Sequence, residues 1–416
     1  MKYITILVLC MLSLHSCKID LFGTNDVSQA HWAVLVAGSN GFWNYRHQSD
    51  VFHSYQILLE NGMPKENIIV LAYDDIANNK ENPFPGKVFN QPDPSGPGRN
   101  VYKGVSIDYT GDDVNPENFL AILEGDEAKV SGKGSGRVLK STQSDNVFVY
   151  FSDHGATGLI AFPNSELYAD KLIATFKKMK ANNSYNKLVF YLEACESGSM
   201  FDKILPTDMN IYTTTAANPD QSSWASYCYP DDIINNIHVG SCLGDEYSVN
   251  WMEDSEGESS QSESLDTQFK NTKSKTKNSE VHQYGSLDYV SESIWDFQGE
   301  NVEKRGIVGG IGKYFTSVSE KIKSYLGLEP QQTRASPIDA EFLEYLEEAK
   351  GSRVDSREAK LFYLYQKAMR TNDQQSQKQL DQEIEHVNLS DYIFSSFNEE
   401  LSVSEMMLLQ IFSSIA

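Results

Sequence analysis

Two short strips of the 416-residue chain carry side chains that could break a covalent bond. Ser152-Asp153-His154-Gly155 follows the run Asn146-Val147-Phe148-Val149-Tyr150-Phe151, and Glu193-Ala194-Cys195-Glu196-Ser197-Gly198 follows Leu188-Val189-Phe190-Tyr191-Leu192. A histidine brought to a thiol is the pairing of a cysteine nucleophile. A free thiol titrates at about 8.5, so a neighbouring imidazole is needed to favour the thiolate. The same imidazole can then protonate the leaving amine. Gly155 fits this chemistry, because a residue without Cβ lets its backbone N–H approach a substrate and, with the Cys195 N–H, cradle a tetrahedral oxyanion. Either residue alone would read as a loop histidine or an inert core thiol. At the ends of two successive strands they read as a dyad.

Cysteine usage points to the same free thiol. Cys10 and Cys17 lie in or at the edge of an N-terminal segment with Lys2, an apolar run over residues 4–14, and Ser13 and Ser16 at its exit. That form is a secretory signal peptide, expected over residues 1–17. Three cysteines remain, and in an oxidising compartment two of them pair. Cys228 and Cys242 flank an irregular stretch with Pro230, Asp231 and Asp232 and are the candidate pair, which leaves Cys195 free. Asn182-Asn183-Ser184 and Asn388-Leu389-Ser390 match the glycosylation acceptor pattern.

The formal net charge of −23 and the absence of a Lys/Arg stripe exclude a nucleic-acid partner, which would need clustered cations for the phosphates. The sequence pI near 4.7 suits a protein kept soluble in an acidic compartment. Past the signal segment no run approaches the roughly 20 apolar residues of a membrane helix, the apolar residues 406–416 included, so no membrane anchor is expected. No His/Cys/carboxylate cluster has metal-ligand spacing in the sequence, and neither a metal nor a cofactor is expected.

The strips need a scaffold, and strand and helix patterns alternate from residue 31. His31-Trp32-Ala33-Val34-Leu35-Val36-Ala37, Ile68-Ile69-Val70-Leu71, the two runs above and Asn210-Ile211-Tyr212-Thr213-Thr214 read as five buried strands. Helical stripes fall at 50–61, 115–124 and 167–180, the second opened by Asn115-Pro116 and closed by Gly125. Residues 81–113 are rich in Pro, Gly and Asp and read as a long surface loop. Residues 253–283 are hydrophilic and compatible with a loop or an exposed helix. This alternation predicts an α/β fold with a mostly parallel sheet flanked by helices, and a site beyond the carboxyl ends of the strands. Residues 300–336, with Gly306, Gly309, Gly310 and Gly312, read as a linker. After Pro337, helical spacing over 338–349, 355–371, 376–387 and 402–415 predicts a separate all-helical unit.

The motifs resemble the legumains, or asparaginyl endopeptidases. The likeness is carried by Val36-Ala37-Gly38-Ser39-Asn40-Gly41, Asn44-Tyr45-Arg46-His47-Gln48, Tyr73-Asp74-Asp75-Ile76-Ala77, Asp108-Tyr109-Thr110-Gly111 and the two strips. Thr214-Thr215-Ala216-Ala217-Asn218-Pro219 and Gly244-Asp245-Glu246-Tyr247-Ser248 complete it, over about residues 30–300. The resemblance implies a caspase-like catalytic domain over 18–300 that cuts after Asn and less readily after Asp. It implies Cys195 as nucleophile, His154 as acid/base, Asn44 orienting the histidine, and the Gly155 and Cys195 backbones as oxyanion donors. The pocket for the residue before the cut falls on Arg46, His47, Glu193, Ser222, Ser223 and Asp245. That set suits an Asn side chain, which offers one acceptor and one donor, so a selective pocket pairs a guanidinium with carboxylates.

Further implications concern regulation. Asp153 corresponds to an aspartate that can cyclise to a succinimide, linked to peptide ligase activity. The cysteine pair brackets an insertion of the plant-type legumains. The helical unit over 337–416 resembles the family's inhibitory pro-domain, released through the 301–336 activation segment at acidic pH, with Asn301 and Asn372 as candidate cut sites. Partners implied are proteins with Asn before the cut, the chain's own pro-domain and cystatin-type inhibitors, in a lysosome- or vacuole-like compartment or outside the cell. The rival readings are a transpeptidase like that of GPI transamidase, to which the Glu193-Ala194-Cys195-Glu196 strip is foreign, and an inactive binding homologue, which would be expected to lack one of Cys195, His154 and Asn44.

Overall fold

The structure, a computed structural model, describes residues 29–257, 263–299, 352–371 and 373–397. The expected signal peptide, linker, first and last tail helices, and both Asn301 and Asn372 lie outside these residues.

In chain order the body runs β1 (His31–Ala37), α1 (Tyr45–Glu60), β2 (Ile68–Leu71), α2 (Pro116–Glu124) and β3 (Asn146–Ser152). A small meander follows, β4 (Gly155–Ala156), β5 (Leu159–Phe162) and β6 (Ser165–Tyr168), then α3 (Ala169–Ala181), β7 (Lys187–Glu193) and β8 (Ile211–Thr215). Next come β9 (Trp224–Ser226), the hairpin β10 (Ile233–Ile234) and β11 (Ile237–His238), β12 (Gly244–Asp245), α4 (Glu246–Ser255) and α5 (Leu265–Lys275). The body closes with β13 (His282–Gly285) and α6 (Trp295–Gln298), and the tail adds β14 (Val354–Asp355), α7 (Ala359–Thr371) and α8 (Gln374–Phe397).

The central sheet has the order β13-β8-β7-β3-β1-β2 and is parallel except for β13, which runs antiparallel to β8. Its buried strands are apolar on both faces, as a doubly covered parallel sheet requires. In β3, Phe148 and Tyr150 pack with Tyr191, Tyr212 and Trp251 on one face, while Val147, Val149 and Phe151 pack with Phe119, Phe176 and Phe190 on the other. The α/β reading holds. α2 begins as its sequence predicts, with the Asn115 side chain accepting from the Asn118 N–H at 2.8 Å, and ends at Gly125 in the left-handed region.

Some expectations need correction. α1 starts at Tyr45, earlier than the stripe beginning at 50, and α3 starts at Ala169, because Leu167 belongs to β6. Residues 81–113 are irregular but not merely superficial: Phe89, Asn90 and Val101 are buried. Within 253–283 lie α5, capped by Ser264, and the edge strand β13. The tail is helical at α7 and α8, yet it does not stand apart. β14 joins the edge of β9 antiparallel, pairing Val354 with Ala225 and Asp355 with Trp224.

Candidate active site

The register of the sheet brings the chemistry together. Ala37 pairs with Ser152 and Ser152 with Glu193, so β1, β3 and β7 end level. The residues that follow, Gly38 to Asn44, Asp153 to Gly155 and Ala194-Cys195, therefore leave the sheet at one edge, where open parallel sheets place their sites.

His154 is held from three sides. Its Nε2 lies 2.8 Å from Asn44 Oδ1, and Asn44 Nδ2 donates to the Asn40 carbonyl at 2.9 Å. The second bond fixes the amide so that its oxygen faces the ring. Nε2 then carries the proton and Nδ1 is the basic nitrogen. Trp43 stacks on the ring at 5.1 Å between centroids, and His47 meets it edge-on at 5.0 Å. Burial, with the charges of Arg46, Lys360 and Arg357, pulls His154 well below the usual imidazole range.

Cys195 is the free thiol among the described residues, and Cys228 and Cys242 form the disulfide. Its Sγ accepts from the Ser223 N–H at 3.3 Å and lies 3.7 Å from Ser223 Oγ. Burial first and then the Glu196 charge push the thiol up to about 12, against the pull of Arg357. Thiol and imidazole are thus both neutral in this state. Gly155 packs on the nucleophile's backbone: a Cβ there would stand 2.5 Å from the Cys195 carbonyl oxygen and 3.0 Å from Ala194 Cβ. An open cavity of about 290 Å³ is lined by His154, Gly155, Leu159 and Phe162.

Beneath the dyad lies a buried polar pocket. Arg46 Nε donates to Asp245 Oδ1 at 2.9 Å with both side chains inaccessible. Glu193 Oε2 accepts from the Ser248 N–H at 3.0 Å and its hydroxyl at 2.8 Å. His47 Nδ1 is 2.7 Å from Ser39 Oγ and 3.2 Å from Asp153 Oδ1. Three buried atoms of the pocket have no hydrogen-bond partner, namely Arg46 Nη2, Glu193 Oε1 and Asp245 Oδ2. Polar atoms left unpaired in a buried pocket carry a desolvation penalty that a polar ligand group would relieve. Burial, reinforced by their neighbouring carboxylates, raises Glu193 and Asp50 well above the usual carboxylate range. Burial raises Asp245 as well, against the pull of Arg46, and it lowers His47 with help from Arg46.

The tail crosses this site. Besides the β14–β9 pairing, the Cys228 N–H donates to the Ser352 carbonyl at 2.9 Å and the Ser356 N–H to the Ser223 carbonyl at 3.0 Å. Arg357 pairs with Glu196 and donates to Ser222 Oγ at 3.3 Å, and Ser223 Oγ donates to Ser356 Oγ at 3.2 Å. The Lys360 ammonium sits 5.9 Å from the Trp43 ring centroid, and Val354 and Phe362 pack on the disulfide.

The residues named from the sequence for the dyad and the pocket lie at this sheet edge, Ser222 and Ser223 on the wall that the tail covers, while Asn301 and Asn372 fall outside the described residues. The sequence also missed several. Asp50 lies one helical turn beyond Arg46 and accepts from Asn90 Nδ2 at 2.6 Å, a charge on the buried face of α1 that spacing could have flagged. Ser248, Trp43 and Arg357 had no distinguishing pattern. The fold also brings His47, Asp153 and His154 within metal-ligand reach, one atom from each lying within 4.8 Å of the others, which sequence spacing did not suggest.

Residues 31–300 match the Peptidase C13 family. The chain is 55% identical to legumain of Rattus norvegicus over 269 residues, 65% of this chain and 59% of that protein. The match thus spans well under two thirds of that relative's length. It is 38% identical to legumain of Canavalia ensiformis over 402 residues, 92% of this chain and 78% of that one. Among solved structures, the crystal structure of caspase-1 from Spodoptera frugiperda aligns at TM-score 0.38 and 9% identity, over 66% of this chain and 92% of that one. On the length and identity of these sequence matches, the chain belongs to the Peptidase C13 family of legumains.

Proposed function

We propose that the protein is a cysteine endopeptidase that hydrolyses peptide bonds after Asn, less readily after Asp, and is made as a zymogen covered by its own tail. The observation that carries the reading is the 2.8 Å bond between His154 Nε2 and Asn44 Oδ1, which leaves His154 Nδ1 basic at the strand end beside the free Cys195.

A substrate strand takes the β9 edge in place of residues 354–355 and lays its Asn side chain over the buried pocket. The unpaired Arg46 Nη2 donates to the side-chain carbonyl, and the free Glu193 and Asp245 oxygens accept from the amide nitrogen. Asp in the same place brings its own charge into a buried pocket beside Asp245, so it is the poorer substrate and is taken best when its own carboxyl is protonated, which acid favours. His154 Nδ1 takes the thiol proton as Sγ attacks the scissile carbonyl carbon. The oxyanion faces the Gly155 and Cys195 N–H groups, and the imidazolium then protonates the departing amine. Water, deprotonated by the same imidazole, attacks the thioester and releases the acid. An amine attacking instead would give ligation.

At neutral pH residues 352–371 hold the site closed, and acidification opens it before the tail is cut away. A lysosome- or vacuole-like compartment, with cystatin-type inhibitors as outside partners, fits this cycle. Among the described residues no helix is long and apolar enough to cross a membrane.

The test is acid incubation of the full chain, then turnover of matched peptides bearing Asn, Asp, Gln or Arg before the scissile bond. Cleavage after Asn and weakly after Asp, lost in Cys195→Ala, is expected. Activity surviving in Cys195→Ala, or equal cleavage after Gln, refutes the reading.

A further inference from the structure

We propose that Asp75, far along the chain from the dyad, is a positioning residue for His154. The inference rests on the reading of His154 and Cys195 as the catalytic pair. Asp75 belongs to Tyr73-Asp74-Asp75-Ile76-Ala77, a motif to which the mechanism above gives no part.

Two neighbouring residues touch the ring of His154 on the Asn44 side. Trp43 stacks on it and Asn44 accepts from it, and both sit on the short turn Phe42–Asn44. That turn is held on its helix side by Arg46 Nη1 donating to the Trp43 carbonyl at 3.3 Å and by the burial of Phe42 and Asn44, while Gly41 at its start has no side chain to pack. The whole is a single 3-10 turn closed by the Asn44 N–H donating to the Gly41 carbonyl at 2.9 Å. It begins at Gly41, whose φ of 85° is open to glycine and whose added Cβ would stand 3.1 Å from the Trp43 indole nitrogen. The Gly41 end takes its anchor from outside the turn.

Asp75 is that anchor. Its Oδ2 accepts from the Gly41 N–H at 2.7 Å, and its Oδ1 accepts from Gln48 Nε2 at 2.7 Å. One carboxylate thus bridges the residue before the turn to the first turn of α1 after it. Asp75 is itself held. Asn79 Nδ2 donates to its carbonyl at 3.1 Å, and Asp74 before it takes a left-handed φ of 65° with its carboxylate accepting from Tyr102 OH at 2.9 Å. A non-glycine residue in that region is kept only where its surroundings enforce it. The chain of contacts therefore runs from Asp75 through Gly41 to Asn44 and Trp43, and from these to His154. Asp75 reaches the reacting atoms only through the ring it helps to aim.

The test is Asp75→Asn, which keeps the size of the side chain and places a donor against one of two donors. After acid incubation of the full chain, kcat and KM are measured on the Asn peptide, in the wild-type and the Asn44→Ala backgrounds. Expected is a fall in kcat of about tenfold to a hundredfold with KM changed less than twofold, since misplacing a catalytic group by about an ångström has an effect of this size. In the Asn44→Ala background the same substitution lowers kcat by less than about threefold, because the contact it acts through is already gone. Should Asp75→Asn not fold, Gln48→Met, which leaves the Gly41 bond in place, is expected to lower kcat by about two- to fivefold in the first background and not in the second. An equal loss in both backgrounds, a loss confined to KM, or an unchanged kcat overturns the proposal while leaving the dyad intact. Absence of Cys195-dependent turnover in the wild type overturns the dyad and this inference together.

Discussion

The tail's grip on the site can be weakened at one residue. Arg357 pairs with Glu196, next to the nucleophile, and also reaches Ser222. The Arg357 side chain is 48% exposed and that of Glu196 5%. A hydrogen bond to a charged group contributes about 1.5–3 kcal/mol when well enclosed, and solvent on the guanidinium side reduces this to about 1–2 kcal/mol. Arg357→Gln removes that amount while the β14–β9 pairing and the packing of Val354 and Phe362 remain. The closed state should persist but yield more often, by about tenfold, since 1.4 kcal/mol is a factor of ten.

The effect depends on pH in a fixed direction. Burial raises Glu196 to about 7, with Arg357 as the main opposing pull, so without Arg357 the carboxyl would titrate higher still. Arg357 therefore stabilises the closed site where Glu196 is ionised, above about pH 7, and that stabilisation is lost as pH falls through this value. The assay is the rate of Cys195 alkylation by iodoacetamide in the uncleaved full chain, read by mass spectrometry of its peptide. About tenfold faster labelling than wild type is expected at pH 7.5, and rates within twofold at pH 5.5. The same ratio at both pH values, or no difference at either, refutes the reasoning.

Two further outcomes follow from the site. Asp50, raised by burial and its neighbouring carboxylates, favours the folded state below its unfolded pKa and loses that contribution as pH rises through its higher folded value. Asp50→Asn should therefore raise the thermal midpoint at pH 7.5 and leave it nearly unchanged at pH 4.5, as seen by calorimetry on the Cys195→Ala chain; a uniform loss at both would count against it. Gly155→Ala puts a methyl group 2.5 Å from the Cys195 carbonyl oxygen, and should lower kcat by about a hundredfold, the worth of one oxyanion donor, while a thermal scan shows the fold retained.

How far the fold could be read in advance depended on periodicity. The parallel strands β1, β2, β3 and β7 are built on continuous apolar runs, so their ends, and with them Cys195 and His154, were marked by the loss of the run. α1 was misread at its start because Arg46, His47 and Asp50 face inward to partners rather than outward to water, which inverts the rule that polar positions mark the solvent face. β13 escaped because His282-Gln283-Tyr284-Gly285 lies at an edge, half-buried throughout and without alternation. The placing of residues 352–357 over the site was beyond any local pattern. Ser352-Arg353-Val354-Asp355-Ser356-Arg357 has no strand period, and becomes a strand only because β9 offers it an edge. The disulfide, by contrast, was open to elimination among three cysteines.

The short ladder between β14 and β9 has a consequence for how firmly a cover must be built. The ladder pairs only two residues, and the tail adds ion pairs of Arg353 with Glu246, Arg357 with Glu196 and Lys367 with Glu81, in which all the side chains but Glu246 and Glu196 lie partly in water. Within one polypeptide the same segment meets its groove at an effective concentration that can itself be about millimolar, so modest contacts suffice to keep it seated. Cutting the connection removes that advantage at a stroke. Under the proposed zymogen cycle the severed segment would compete at its bulk concentration with every extended chain that reaches the groove, and a cover held chiefly by its tether would open once and not close again.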